Sequence, residues 1–178
     1  MQNKRGISQA LSSLAAAAPE VTPVIRRANV FDAFAISKVL TKSIRELCVE
    51  DHQNDAQKMR LWLENKTPEH VREWIVSGAS LWVIEQQAAP TGVGLITSRG
   101  EISLLYMAPG AAGTGQGRAL LRHLEAELRS MGKTEAYLTA TKTGLGFYLS
   151  QGWQQDGAAG PCHDVTGYPM RKLLQASL

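Results

Sequence analysis

The apolar positions of this chain recur first at a helical period and later at an extended one. A short extended segment at 24–28 is followed by mostly helical spacing over 31–48 and by a second helical stretch at 56–63. Thr67 suits the N-cap of a third helix, because its hydroxyl accepts backbone hydrogen bonds, and Pro68 suits the first helical position. The first half of the chain is therefore predicted to form one strand followed by three helices.

The second half begins with short β-rich segments separated by turn residues. The segments 80–86, 92–97 and 101–107 are joined by short turns, which is typical of an antiparallel meander. Over 117–131 the leucines and one methionine form a single apolar stripe, which predicts an amphipathic helix. The remaining predicted elements are a strand at 136–141, a helix at 143–150, a strand around Trp153 and a strand at 168–173.

Composition limits the classes of protein that fit this pattern. The 178 residues are 44% hydrophobic and 20% charged, which fits a globular protein and excludes a disordered or collagen-like chain. The net charge is only +3 and no five like charges are consecutive, so no nucleic-acid partner is expected. The longest apolar stretches are far too short to cross a membrane. Cys48 and Cys162 are too few for a disulfide framework, so a reducing, cytoplasmic location is expected.

Residues 1–22 differ from the rest of the chain. They carry Lys4 and Arg5, followed by a stretch of small residues rich in alanine and serine. A signal peptide would need a more apolar central region than two leucines among serines and alanines provide. We expect this segment to be an extension that forms a frayed or loosely docked helix, followed by a single domain over 23–178.

A cluster of glycines separates the predicted strand at 101–107 from the helix at 117–131. Four of the 16 glycines fall within eight residues, from Gly110 to Gly117. Glycine adopts positive φ and lets a ligand approach the backbone with no Cβ in the way. The start of a helix offers four unpaired N–H groups and the positive end of the helix dipole. Together these features predict an anion site that suits phosphate.

Several kinds of phosphate loop share these features. A P-loop ends in Gly-Lys-Ser or Gly-Lys-Thr, whereas this loop ends in Gly117, Arg118 and Ala119. A dinucleotide loop has the spacing GxGxxG after a first parallel strand, whereas here Gly113, Gly115 and Gly117 alternate after a meander. The pyrophosphate loop of acyl-CoA enzymes is a third alternative, and a flexible turn without a ligand is a fourth.

The run 102–121 resembles motif A of the GNAT acetyltransferase superfamily. In that family the strand ends in a V-x-P-like turn, here Met-Ala-Pro at 107–109. The loop then reads Q/R-x-x-G-x-G/A, here Ala-Gly-Thr-Gly-Gln-Gly at 112–117. Ala112 departs from this pattern, which has Arg or Gln at that position. The family uses this residue mainly through its backbone, so the resemblance implies that cofactor binding survives the change.

The run 138–153 resembles motif B of the same family, in which N-x-x-A precedes F-Y-x-x-x-G-F. Here Thr141 replaces the Asn, Gly144 replaces the Ala, and Trp153 replaces the second Phe. The resemblance covers roughly residues 24–173, with both motifs in the family's order and at its separation. It implies an α/β fold with a mixed, mostly antiparallel central sheet flanked by helices.

The resemblance also implies an activity. GNAT enzymes transfer an acetyl group from acetyl-CoA to a primary amine by direct attack on the thioester, with no metal and no covalent enzyme intermediate. The acceptor would be the amine of a small molecule, a peptide or a protein. The protein could form a homodimer. Two other functions fit the same loop: a non-catalytic module that binds acyl-CoA, and a protein that binds the phosphates of a nucleotide.

The resemblance assigns the cofactor site residue by residue. The end of the strand at 101–107 would line the pantetheine arm. In the family this strand splays from the next, here 136–141, and leaves backbone groups for the pantetheine amides. The hydroxyl of Thr141 would replace part of the absent Asn. The residues assigned to acetyl-CoA are Leu105, Tyr106, Met107, Ala112, Gly113, Thr114, Gly115, Gln116, Gly117, Arg118, Thr141 and Tyr148.

Acetyl transfer needs an acid for the leaving thiolate and a base for the amine. Tyr148 falls at the family's tyrosine position and is the predicted acid, since a phenol with a pKa of about 10 is protonated at neutral pH. The alternative for Tyr148 is a ring that only packs a short helix on the sheet. Glu101 matches the glutamate base of the histone acetyltransferase branch, with a solvated surface position as its alternative. His52 is an alternative base, because its reference pKa suits neutral pH.

Overall fold

The computed structural model describes residues 22–162 and 165–174, so the predicted extension lies outside the described residues up to position 21. The division of the chain into an extension and one domain stays a prediction. The strands are β1 (Val24–Arg27), β2 (Ser80–Gln86), β3 (Ala89–Ile96), β4 (Ile102–Met107), β5 (Glu135–Ala140), β6 (Gln154–Gln155), β7 (Gly160–Cys162) and β8 (Val165–Leu173). The helices are α1 (Ala33–Leu47), α2 (Val49–His52), α3 (Ala56–Leu63), α4 (Pro68–Val76), α5 (Gln116–Ser130) and α6 (Lys142–Ser150), with 3₁₀ turns at Val30–Asp32 and Pro109–Ala111.

Side-chain caps explain where the first helices begin. Asn29 and Asp32 form a capping box around the 3₁₀ turn that leads into α1. The Asn29 side chain accepts from the Phe31 N–H at 2.9 Å, and the Asp32 carboxylate accepts from the Asn29 N–H at 2.8 Å. The Thr67 hydroxyl accepts a backbone hydrogen bond from the first turn of α4, as the sequence predicts. These local signals fix the starts of α1 and α4 against the sheet.

The central sheet is split into two antiparallel halves. The first half has the strand order β1-β2-β3-β4, and the second has β5-β8-β6, with β7 also paired to β8. β4 and β5 run parallel, and within the described residues they pair at a single bridge between Glu101 and Tyr137. Beyond that bridge the two strands separate and leave a cleft between them. The predicted mixed, mostly antiparallel sheet flanked by helices is therefore confirmed.

Helix α5 covers the split between the two half-sheets. Its predicted apolar stripe is buried and packs against residues of both halves. A Cβ atom at Gly94 would lie 2.6 Å from Leu124 Cδ1, so glycine at this position lets α5 approach β3 closely. The shared core includes Leu120, Leu121, Leu124 and Leu128 from α5, Ile84 and Ile96 from the first half, and Leu138 and Met170 from the second.

Helices α1 and α4 cover the opposite face of the first half-sheet. Successive residues of a strand point to opposite faces, so Ile84 packs toward α5 while Leu81 and Val83 pack toward α1 and α4. Ile36 and Leu40 of α1 are fully buried in this second core. The first half-sheet is therefore enclosed by helices on both faces, and the split edge of β4 lies between the two helical layers.

The turn between β2 and β3 comes earlier than the sequence pattern predicts. Gln87 and Ala88 form it with φ of 53° and 60°, so β3 begins at Ala89 and includes Pro90. The turn dipeptides Asn-Gly and Asp-Gly are absent at this position, so the sequence pattern predicts only a turn somewhere between the segments at 80–86 and 92–97. The elements α2 and β7 are missing from the prediction, because four and three residues are too few to show a period.

Candidate active site

The cleft between β4 and β5 holds a cavity of about 360 Å³. The two strands form opposite walls, and the glycine cluster, the first turn of α5, the end of α1 and the start of α6 complete it. Ten of the twelve residues assigned to acetyl-CoA from the sequence line this cavity, while Thr114 and Gln116 do not. The ten are Leu105, Tyr106, Met107, Ala112, Gly113, Gly115, Gly117, Arg118, Thr141 and Tyr148.

The N-terminus of α5 lies at this cavity without a side-chain cap. Gly115 is the N-cap residue with φ of 89°, and Gly113 has φ of 76°, both in the left-handed region that favours glycine. Beyond the glycine itself and its two chain neighbours, no heavy atom of the described residues lies within 4 Å of the position that a Cβ would take at either glycine. The first-turn amides have no intrahelical partner, and the exposed Arg118 adds positive charge beside them. This part of the cavity suits an anion such as a phosphate.

The side chain of Gln116 turns away from the cavity. Its oxygen accepts from the Thr91 hydroxyl at 2.5 Å, and its nitrogen donates to Gln86 Oε1 at 3.2 Å. The Thr114 hydroxyl is used within the loop, where it donates to the Ala111 carbonyl at 2.7 Å. Both side chains therefore hold the loop in its conformation instead of lining the cavity. Since Gln116 begins α5 and Thr114 comes just before it, only their backbone remains as a contact for an anion there.

Tyr148 lies on α6 with its ring buried at the cavity wall, and 9% of the residue is exposed. The ring contacts Phe147 and Trp153 edge to face, with centroid distances of 5.2 and 6.0 Å. Burial is the main cause that raises the pKa of Tyr148 above the usual value of a phenol. The hydroxyl therefore stays protonated at neutral pH and is available as a donor.

Two further groups on the cavity wall are held in their neutral form. Burial raises the pKa of the Cys48 thiol to about 12, with a smaller contribution from the negative charge of Asp51. Burial also raises the pKa of Tyr106, whose hydroxyl oxygen accepts from Trp62 Nε1 at 3.2 Å and so ties β4 to α3. The wall therefore presents a thiol and two phenols. No carboxylate and no imidazole of the described residues lines the cavity.

The N-terminus of α6 lies at the same cavity and is capped twice. Thr141 Oγ1 accepts from the Gly144 N–H at 3.1 Å, which is a local cap. The carboxylate of Asp51, 8% exposed, accepts from the Lys142 N–H at 2.7 Å. It also accepts from the N–H and hydroxyl of Thr143 at 3.2 and 2.6 Å. The sequence does not point to Asp51, because 91 residues separate it from Lys142 and no local pattern marks the contact.

The structure brings neither predicted base to the cavity wall. Glu101 is exposed beside Tyr137, where β4 and β5 still pair. His52 is fully buried, with Nε2 3.0 Å from the Ile44 carbonyl and Nδ1 accepting from the Asn54 N–H at 3.0 Å. Both ring nitrogens of His52 are used within the fold, which leaves none to accept a proton from a substrate.

Besides capping α6, Asp51 lines a second, open cavity of about 750 Å³. The charged side chains of Glu50, Lys58 and Lys142 line it together with residues of β7 and β8. Glu50 and Lys142 form an exposed ion pair at 3.7 Å, and such pairs contribute little in water. The second cavity is therefore polar and of mixed charge, and it adjoins the first through Asp51 and Thr143.

Comparison with known families shows to which family the chain belongs. The sequence model described as "Acetyltransferase (GNAT) domain" matches residues 41–174, which is most of the chain. The chain belongs to the GNAT acetyltransferase family. The resemblance expected from the glycine loop and the downstream tyrosine motif is thus confirmed, and acetyl transfer is the general activity of this GNAT chain.

Solved GNAT structures share the fold at low sequence identity. A GCN5-related N-acetyltransferase from Rhodopseudomonas palustris has a TM-score of 0.76 and 20% identity, covering 86% of this chain and 96% of that chain. The PaiA N-acetyltransferase from Thermoplasma acidophilum, solved with coenzyme A, has a TM-score of 0.75 and 18% identity over 85% and 99%. The yncA protein from Salmonella typhimurium, solved with acetyl-CoA, has a TM-score of 0.64 and 20% identity over 88% and 96%.

A sequence comparison of this GNAT chain with characterised proteins found no match. Residues 22–162 and 165–174 contain no group of three or more histidine, cysteine, aspartate or glutamate residues that could hold a metal ion. None of the helices in that part of the chain is both long and apolar enough to cross a membrane.

Proposed function

We propose that this GNAT protein transfers the acetyl group of acetyl-CoA to a primary amine, which attacks the thioester directly. The observation that carries the proposal is the cavity between β4 and β5, with the uncapped N-terminus of α5 in one wall and Tyr148 in another. Two proteins of the same fold were solved with coenzyme A or acetyl-CoA, which supports this choice of donor.

The backbone around the cavity supports a specific placement of the donor. The first-turn amides of α5 and the loop at 112–115 would bind the pyrophosphate, with added charge from Arg118. β4 pairs with β5 only at Glu101 among the described residues, so the free edge of β4 over 103–107 would pair with the pantetheine amides. The Thr141 hydroxyl, which lines the opposite wall, would contribute a further polar contact.

The residues of the wall suit the chemistry of direct transfer. Acetyl-CoA supplies the thioester, whose carbon–sulfur bond breaks as the amine nitrogen bonds to the acetyl carbon. The Tyr148 hydroxyl would give a proton or a hydrogen bond to the leaving thiolate, since its raised pKa keeps it protonated. Cys48, with a pKa of about 12, stays a neutral thiol and is a poor nucleophile at neutral pH. This supports transfer without an acylated cysteine.

The base stays a prediction at Glu101. Its carboxylate does not line the cavity, although the next residue, Ile102, does. The proton of the amine would therefore reach Glu101 through a water molecule, which is an established route for general bases.

The acceptor is proposed to be a small-molecule or peptide amine that enters through the second cavity. The charges of Glu50, Lys58 and Lys142 favour a polar acceptor over an apolar one. The cytoplasmic location and the option of a homodimer stay predictions.

Thermal unfolding with acetyl-CoA, CoA, ATP and NAD in parallel tests the choice of donor. A ligand that binds only the native state adds about 2.7 kcal/mol of stability at 100 times its Kd. For a chain of this size that raises Tm by several degrees. We expect a rise with acetyl-CoA and CoA alone. A rise with ATP or NAD alone would instead favour a nucleotide-binding protein, and CoA binding without turnover of any amine would favour the non-catalytic module.

Tyr148→Phe tests the predicted acid. We expect kcat to fall by about 100-fold or more, because the thiolate would leave without a proton donor, while CoA affinity changes less than threefold. Tyr137→Phe is the matched control, since the Tyr137 hydroxyl is exposed and hydrogen-bonds Glu135 away from the cavity. An unchanged kcat in Tyr148→Phe would remove Tyr148 from the mechanism.

A further inference from the structure

Helix α6 carries Tyr148 but has a weak intrinsic tendency to be helical. It spans only Lys142–Ser150 and contains both Gly144 and Gly146. Glycine is the weakest helix former after proline, and isolated helices of this length are not stable in water. The position of α6, and with it that of Tyr148, must therefore be set by contacts with the rest of the protein.

The C-terminal end of α6 is held by the partly buried ammonium group of Lys172. Lys172 Nζ donates to the Gln151 carbonyl at 2.8 Å, just past the end of the helix. Lys172 also bonds both carboxylate oxygens of Glu125 at 2.9 Å, and Glu125 accepts from Trp153 Nε1 at 2.9 Å. These contacts fix the end of α6 to α5 and β8.

The N-terminal end of α6 is held to α2 by Asp51. This carboxylate accepts three hydrogen bonds, two from backbone N–H groups at the start of α6 and one from the Thr143 hydroxyl. It belongs to α2, which follows directly on Cys48, itself a residue of the cavity wall. Thr141 caps the helix locally, whereas Asp51 connects its start to α2. The ion pair of Glu50 with Lys142 also joins α2 to α6, but it is exposed and contributes little.

We propose that Asp51 is a positioning residue, which fixes the start of α6 and thereby holds the Tyr148 hydroxyl at the reacting thioester. Tyr148 lies five residues beyond Thr143, about 7.5 Å along the helix axis. Its ring nevertheless reaches back toward the start of α6, because a Cβ at Gly144 would lie 3.3 Å from Tyr148 Cε2. A tilt of α6 about its firmly held C-terminal end would therefore displace this ring without disturbing the α5 loop. The proposal rests on the proposed function, because it assumes that Tyr148 serves acetyl transfer.

The test compares Asp51→Ala and Asp51→Asn with Asp55→Ala. Asp55 is a matched control, since its carboxylate also caps a helix, α3, by accepting from the Lys58 N–H at 2.9 Å. Asp55 is exposed and lines neither cavity. We expect both alanine variants to lower Tm, whereas only Asp51→Ala lowers kcat at saturating amine, by tenfold or more. CoA affinity should stay within threefold in all variants.

Two further measurements separate positioning from other roles of Asp51. Asp51→Asn keeps a side-chain oxygen that accepts hydrogen bonds, so we expect it to restore a large part of kcat. The pH profile of kcat/KM should keep its shape in both variants, whereas a catalytic base would lose its acidic limb. A kcat in Asp51→Ala equal to that of Asp55→Ala, or a lost limb, would overturn the proposal.

Amide hydrogen exchange distinguishes a failure of this proposal from a failure of the proposed function. If the wild-type protein acetylates no amine, the proposed function fails, and exchange in the CoA complex still tests Asp51. We expect Asp51→Ala to lose protection selectively over 142–148, while α5 keeps its protection. Unchanged protection of α6 would overturn the proposal whatever the activity is.

Discussion

Two helices, α5 and α6, begin at the same cavity, but only the first turn of α6 is capped by side chains in the described structure. The first turn of α5 follows Gly115, which has no side chain to cap it, and open space surrounds the position of the missing Cβ. The first turn of α6 is capped by Thr141 and by the carboxylate of Asp51. Both helices begin with amides that have no partner within the helix and with a positive dipole end.

The difference shows how one physical property serves two purposes. A helix N-terminus attracts an anion, and at α6 the protein supplies that anion itself, from α2. At α5 the chain leaves the position open, as a ligand with phosphate groups would require. The capped terminus gives rigidity to the helix that carries Tyr148, and the open terminus leaves a place for binding.

Blocking the open N-terminus of α5 should have the largest effect of the three changes, and the effect should appear in the affinity for CoA. Gly115→Arg would place a large side chain where φ is 89°, a conformation that costs a side-chain residue roughly 1–2 kcal/mol. With the steric block added, we expect the Kd for CoA to rise on the order of 100-fold, measured by calorimetry. Gly110→Ala is the control, because Gly110 has open space and no positive φ. Normal CoA affinity in Gly115→Arg would refute this placement of the pyrophosphate.

Adding a carboxylate next to the N-terminus of α5 should have an intermediate effect on the affinity for CoA. Thr114→Asp would place a carboxylate just before the start of α5, where it stabilises the helix by about 0.3–1 kcal/mol and repels a phosphate. We expect CoA affinity to fall about tenfold at low salt and less at high salt, while Tm of the free protein rises slightly. Thr114→Asn loses the same hydroxyl bond to Ala111 without the charge, so its affinity should stay near that of the wild type. Equal losses in both variants would show that the charge has no role.

The smallest effect should come from strengthening α6 itself. Gly146→Ala adds a methyl group in open space and should stabilise the protein by about 0.5–1 kcal/mol, read from denaturant unfolding. Gly144→Ala makes the same change where the Cβ would lie 3.3 Å from Tyr148 Cε2 and 3.4 Å from Thr141 Oγ1. We expect this second variant to gain less or to lose stability. An equal gain at both positions would mean that the Tyr148 ring is free to shift.

The open N-terminus of α5 could be predicted from the sequence, whereas the capping of α6 by Asp51 could not. The glycine cluster, its preceding strand and the stripe of α5 are contiguous, so their spacing alone indicates a loop before a helix. Asp51 caps α6 across 91 residues, and its own helix, α2, has only four residues. Residues 46–55 include four carboxylates, and no local pattern indicates which of them would cap a distant helix.

The directions of individual side chains in the glycine loop could not be predicted from the sequence either. The family pattern assigns Gln116 to the cofactor, but a helix begins there, and its side chain turns toward Thr91 and Gln86. The direction of a side chain at a helix start depends on which partners the neighbouring strands offer, and the sequence does not state them. The strand β2, whose predicted bounds match the structure, depends instead on its own alternation and on turns next to it.

The split sheet decides how the two halves of the fold are joined. Backbone hydrogen bonds between β4 and β5 are confined to the Glu101–Tyr137 end in the described residues, whereas the apolar face of α5 packs on both halves. Packed side chains permit small sliding motions that a ladder of directional hydrogen bonds resists. The boundary between β4 and β5 is therefore easier to deform than either half-sheet. The two halves can separate slightly around a long, thin ligand while each keeps its own backbone hydrogen bonds.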